Sequence, residues 1–171
     1  MREAFLIADI GGTSSRWGRI GHDGAIAAWT EALPGFNPAT GDGATFARAV
    51  RAHFQAEAPR LIACKAVAIY GAGCGHEVRR ERMRGVIAEV FPEAAIDVRS
   101  DLLGAARAVY GDGSGIVLIL GTGMNAGRYD GVRLDLPMPS LGYLLGDEGS
   151  GADLGRHLLN AVYYGRTGPA T

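Results

Sequence analysis

Twice in this chain a short apolar run stops at a cluster of glycines. Residues 4–10 end in Gly11-Gly12-Thr13, and residues 116–120 end in Gly121-Thr122-Gly123. Apolar runs of this length, bounded by turn residues, read as buried strands. A turn of small residues after such a strand lets backbone N–H groups approach a ligand with no β-carbon in the way. Each run is followed by two more strand-like segments, 16–20 and 25–30 in the first case, 125–129 and 132–136 in the second. The chain therefore reads as two similar meanders, a weak internal repeat.

Between the meanders, helices alternate with strands. Phe46, Val50 and Phe54 recur every four residues and predict a helix over 44–57, which Pro59 ends. A Pro/Gly/Asn loop over 34–43 precedes it. A buried strand over 65–70 and the loop Gly71-Ala72-Gly73 lead to a helix over 77–90, with Val78, Val86, Ile87 and Val90 facing inward. A short strand over 95–98 is followed by Ser100, whose hydroxyl can cap a helix over 101–110. A last helix over 151–163 carries Leu154, Leu158 and Val162. The order β-β-β-α-β-α-β-α, then β-β-β-α, predicts an α/β architecture with a mixed sheet. Gly111-Asp112-Gly113-Ser114 separates a helix from a strand, which divides the chain into domains 1–112 and 113–171. Two such halves facing each other would set both glycine turns on one cleft.

A formal net charge of −1 gives no reason to expect nucleic acid or an anionic membrane as partner. Arg79, Arg80, Arg82 and Arg84 form the one basic cluster, and Glu77 and Glu81 interleave it as on a solvated helix face. Cys64 and Cys74 lack CxxC spacing and fit reduced thiols. There is no charged-then-apolar leader, and no apolar run nears the ~20 residues that span a bilayer. A cytoplasmic protein is expected. His22, His53, His76 and His157 show neither metal-ligand spacing nor a serine partner, so no chemistry is assigned to them.

Alone, either glycine turn reads as a plain hairpin. Together, with Thr13 and Thr122 adding hydroxyl donors, they point to bound phosphate. Asp9 stands where a carboxylate can hold Mg²⁺ through water, and equally suits a turn or cap. Asp101 follows a strand end and opens a helix, so it lies at the edge where α/β proteins place their ligands. A carboxylate there can take the proton of a substrate hydroxyl that attacks a γ-phosphate. A lone aspartate at a helix start serves as well as a partner of the helix dipole. Gly146-Asp147-Glu148-Gly149-Ser150-Gly151 sets two acids among glycines before a helix, which favours contact with sugar hydroxyls or metal-bound water over a simple turn. Asn37 can offer a polyol both donor and acceptor, or merely turn the chain.

These segments, with Ser100-Asp101, Leu120-Gly121-Thr122-Gly123-Met124-Asn125 and the run from Pro139-Ser140-Leu141-Gly142 to Gly151, resemble the BadF/BadG-type ATPase family. More narrowly the chain is similar to the N-acetylglucosamine kinases of the actin-like and sugar-kinase superfamily. The resemblance implies a ribonuclease H-like, actin-type ATPase lobe and the start of a second, similar lobe. It implies an ATP- and Mg²⁺-dependent kinase acting on the 6-hydroxyl of N-acetylglucosamine or glucosamine. Asp101 would be the general base; Gly11, Gly12 and Thr13 the first phosphate loop; Gly121, Thr122 and Gly123 the second. Asn37, Asp101, Ser140 and Asp147 would touch the sugar, and Asp9 the magnesium. Met124 stands where the family usually has serine, and Ile10 where a third glycine is frequent. Family members run well beyond this length, supplying an adenosine pocket and often a homodimer contact. Two other readings remain: a sugar-binding fragment or sensor without catalysis, and a dehydratase-activating ATPase. The second needs cysteines at a domain junction, where neither Cys64 nor Cys74 lies.

Overall fold

The computed structural model describes residues 5–21, 23–137 and 141–166. The chain divides into two compact units, Met1–Gly104 and Ala105–Thr171.

The first unit is built on a mixed sheet with β1 (Phe5–Ile10) at its centre. On one side β2 (Ser14–Ile20) pairs antiparallel with β1, and β3 (Ile26–Trp29) and the short β4 (Leu33–Pro34) both pair with β2. Beyond a 3₁₀ turn at Pro59–Ala63, β5 (Ala66–Gly71) and then β6 (Ala95–Ser100) extend the other side in parallel. Alternation decides which face is covered. Leu6, Ala8 and Ile10 of β1 and Val67 and Ile69 of β5 are buried, while Phe5 and Asp9 on the opposite face are exposed.

Helices α1 (Gly43–Glu57) and α2 (Glu77–Val90) cover that buried face. The Asp42 carboxylate accepts from the Ala44 and Thr45 N–H groups and starts α1. Phe46, Val50 and Phe54 of α1 join Met83, Val86, Ile87 and Val90 of α2 in the core. Trp17, Phe54 and Phe91 close its far end, with the Phe54 and Phe91 ring centres 5.2 Å apart and nearly edge-on. Burying each such side chain is worth about 1.5–3 kcal/mol.

Two details differ from the sequence reading. Val78 is 81% exposed, and Met83 supplies the inward contact instead. At 3.6 residues per turn Val78 lies about 140° around the helix from Met83. Nor is the arginine cluster uniformly solvated. Arg80 and Arg84 are only partly exposed, pairing with Glu77 and Glu81 and donating to Gly75 O and Ile96 O, and Arg82 reaches the loop before α1.

Helix α3 (Asp101–Tyr110) begins in the first unit and ends in the second. The second unit holds an antiparallel sheet of β7 (Gly115–Leu120), β8 (Met124–Tyr129) and β9 (Leu134–Asp135). The expected strand over 132–136 is cut to two residues. The Asp130 carboxylate accepts from the N–H groups of Val132 and Arg133 and keeps that segment in a turn. A short helix α4 (Gly142–Leu145) precedes α5 (Gly151–Tyr163). Ser150 Oγ accepts from Asp153 N, and Asp153 Oδ2 accepts from Gly149 N, a reciprocal cap at the start of α5. Among the described residues no helix is long and apolar enough to cross a membrane.

Candidate functional site

The parallel strands β1, β5 and β6 end together. Ile10, Gly71 and Ser100 stand in one row across them, so the segments leaving the three strands meet at a common edge of the sheet. Asp9 lies beside Tyr70 in this register, and the Tyr70 ring packs against Gly104, one helical turn past Asp101. Asp9 and Asp101 are thereby neighbours. Burial pushes the Asp101 carboxyl above the ordinary aspartate value of 3.8, and the negative charge of Asp9 adds to the rise. The N–H of Leu102, donating to Asp101 Oδ1 at 2.8 Å, opposes both. Ser100 Oγ accepts from Leu103 N at 3.3 Å, in the capping place expected for it.

The turn after β1 is stitched to two other segments. Its own closure spends the Gly11 N–H on Ser14 O at 2.9 Å, which leaves the exposed Gly12 and Thr13 facing outward. Ile10 O accepts from Ala72 N, tying the end of β1 to the loop after β5. Gly35 N donates to Thr13 O and Phe36 N to Gly11 O, so the chain ahead of α1 is laid along the turn. Phe36 is then buried, stacked on Phe46 with ring centres 5.4 Å apart.

Anchoring Phe36 places Asn37. Its carboxamide oxygen accepts from Ala39 N at 2.9 Å, and a β-carbon on Gly73 would stand 2.8 Å from that oxygen. Gly73 has φ +75°, so the loop after β5 reaches Asn37 through a conformation that suits glycine. The first unit thus gathers Asp9, Gly11, Gly12, Thr13, Asn37 and Asp101 at one sheet edge. Gly73 was not foreseen as part of this edge. Its signal was the pair of glycines after a buried strand, the same sign that marked the first turn.

In the second unit Leu120 pairs with Met124 around Gly121-Thr122-Gly123. Gly121 N donates to Gly123 O, and the turn carbonyls of Gly121 and Thr122 accept from Gly151 N and Ala152 N. The first N–H groups of α5 are therefore spent on the turn. Asp147 is buried and adopts φ +59°. A β-carbon on Gly123 would stand 2.9 Å from Asp147 Oδ2, so the turn and Asp147 form one cluster. Ser140 lies outside the described residues.

Among the described residues no group of three or more His, Cys, Asp or Glu side chains could hold a metal ion. Both cysteines are free and buried, and burial pushes each thiol up to about 11, which keeps them protonated and unreactive. A cavity of ≈ 610 Å³ lies at the other end of the first sheet, among Leu6, Trp17, His53 and Phe54, and none of the predicted site residues lines it.

No known family pattern matches the chain, and no curated protein sequence does. Solved structures do. One from Porphyromonas gingivalis, provisionally described as an N-acetylglucosamine kinase, is 35% identical, covers 97% of this chain and 58% of its own, and superposes with a TM-score of 0.84. Another of that provisional description, from Chromobacterium violaceum, is 23% identical, covers 98% of this chain and 60% of its own, and has a TM-score of 0.68. A provisionally described sugar kinase from Cytophaga hutchinsonii is 18% identical, covers 95% of this chain and 62% of its own, and has a TM-score of 0.56. This chain spans less than two thirds of the length of each. Its mixed α/β fold is that of the actin-like ATPase lobes of sugar kinases.

Proposed function

We propose that this chain carries the sugar- and phosphate-binding residues of an ATP-dependent amino-sugar kinase of the BadF/BadG type, with N-acetylglucosamine or glucosamine as acceptor. The observation that carries the reading is the Asp101 carboxylate, raised in basicity by burial and by Asp9, at the sheet edge that also holds the first glycine turn and Asn37. The 35% identity to a structure provisionally described as an N-acetylglucosamine kinase supports it.

The residues fit the groups such a reaction needs. Nothing lies within 4 Å of where a β-carbon on Gly12 would be, so a phosphate oxygen can approach the backbone there. The exposed carboxylate of Asp9 suits Mg²⁺, which takes one or two carboxylates and completes its shell with water and substrate phosphate. When bound, that ion would neutralise charge on the transferred phosphoryl group.

In this reading Asn37 and Asp147 hold the sugar hydroxyls and Asp101 accepts the proton of the 6-hydroxyl. The freed oxygen forms its bond to the γ-phosphorus of ATP as the bond from that phosphorus to the bridging oxygen breaks, and ADP leaves. Base assistance of this kind contributes roughly 10²–10⁴-fold in rate. Gly12, Thr13 and the 121–123 turn bind the phosphates.

The test is coupled ADP release with N-acetylglucosamine, glucosamine, glucose and N-acetylmuramate as acceptors. Turnover that depends on an amino sugar is expected. ADP formation indifferent to every acceptor would overturn the reading.

A further inference from the structure

The loop that carries Asn37 is held from a second side. Arg82, in the second turn of α2, donates from Nη1 to Pro38 O at 2.6 Å and from Nη2 to Gly41 O at 2.9 Å. Its guanidinium carbon also lies 5.8 Å from the centre of the Phe36 ring. These contacts bracket Asn37, with Phe36 before it and Pro38 and Gly41 after it. The loop closes on itself as well, because Thr40 N and Gly41 N both donate to Asn37 O.

Arg80 and Arg84 pair with glutamates on their own helix and donate to Gly75 O and Ile96 O, whereas the carbonyls that Arg82 reaches belong to the loop that carries Asn37. Only a guanidinium offers two donors at a fixed spacing while its flat face rests on a ring, so the Arg82 position asks for arginine and not merely for charge. We infer that Arg82 is a positioning residue for the amino sugar: it clamps the turn over residues 36–41 to α2 and so fixes the Asn37 carboxamide beside Gly73. The inference rests on the kinase reading, in which Asn37 touches the sugar.

Arg82→Met keeps an unbranched apolar stem and removes both donors, whereas Arg82→Lys keeps the charge without the fork. Calorimetric titration with N-acetylglucosamine and, separately, with ATP distinguishes a positioning role from a general loss of structure. With Arg82→Met, sugar binding weakens about tenfold, as expected when charge-assisted hydrogen bonds that order a loop are lost. ATP binding is unchanged, Arg82→Lys falls between, and the Thr40 and Gly41 amides exchange faster with solvent. Equal sugar binding by Arg82→Met and the unaltered protein overturns the role of Arg82 alone. A parallel loss of sugar and ATP binding also overturns it, by making Arg82 a general structural support. Failure of the unaltered protein to bind any amino sugar overturns the kinase reading and this inference with it.

Discussion

The carboxamide oxygen of Asn37 lies against the α-carbon of Gly73, so close that a β-carbon there would stand 2.8 Å from it. Gly73→Ala therefore meets two obstacles. Alanine at φ +75° carries the left-handed penalty of roughly 1–2 kcal/mol, and its methyl group displaces Asn37. Chemical denaturation should show that loss of stability, and sugar affinity should fall with it. A variant that melts and binds like the unaltered protein would contradict the arrangement.

Asp147 is the only non-glycine among the described residues with positive φ, at +59°. Left-handed backbone at a buried aspartate is strain of the kind that gathers at functional sites. Asp147→Gly should raise stability by about 1 kcal/mol by relieving the backbone, while removing a carboxylate from the proposed sugar contacts. Opposite movement of melting temperature and sugar affinity is the expected result. If both fall together, Asp147 is a structural residue.

Much of this was legible in the sequence, for local reasons. Helices α2, α3 and α5 start and stop where the sequence puts them, because apolar spacing and the Ser100 cap act over a few neighbouring residues. The two glycine turns were visible because an apolar strand must end before a tight reversal. β4 was not, since a two-residue edge strand ending in proline has no period to detect. The contacts of Asn37 with Gly73 and of Arg82 with Pro38 were also out of reach. They join segments dozens of residues apart, and only the packing of α2 and of the loop after β5 brings them together.

The second unit exposes rows of large apolar side chains. Ile116, Leu118 and Leu120 line one face of β7, and Leu154, Leu158 and Val162 form a stripe along α5, all of them more than half exposed. Contiguous apolar surface of this sort marks a site of association or a liability to aggregate. Sedimentation velocity of the 171-residue chain should depend on concentration, and Leu118→Thr with Leu158→Gln should shift it toward monomer. A single monomeric boundary at every concentration would contradict the expectation.

The raised Asp101 carboxyl also has a consequence for stability. A folded-state value above the ordinary 3.8 means that the native protein holds this proton more tightly than the unfolded chain does. The contribution is full below 3.8 and is lost as pH rises through the native value, so at neutral pH the ionised group costs stability. Asp101→Asn should melt higher than the unaltered protein at neutral pH, and the gap should close on acidification. A gap that does not change with pH would show that Asp101 is not perturbed.

The most direct measurement is the pH dependence of amino-sugar-stimulated ADP formation by the protein that carries this chain, compared with its Asp101→Asn variant. The unaltered protein should lose kcat/KM through an acidic limb displaced upward from the ordinary aspartate value of 3.8, where Asp101 takes up its proton. Asp101→Asn should lower kcat by about 10²-fold or more and still bind the sugar. Undiminished turnover in Asp101→Asn would contradict the account.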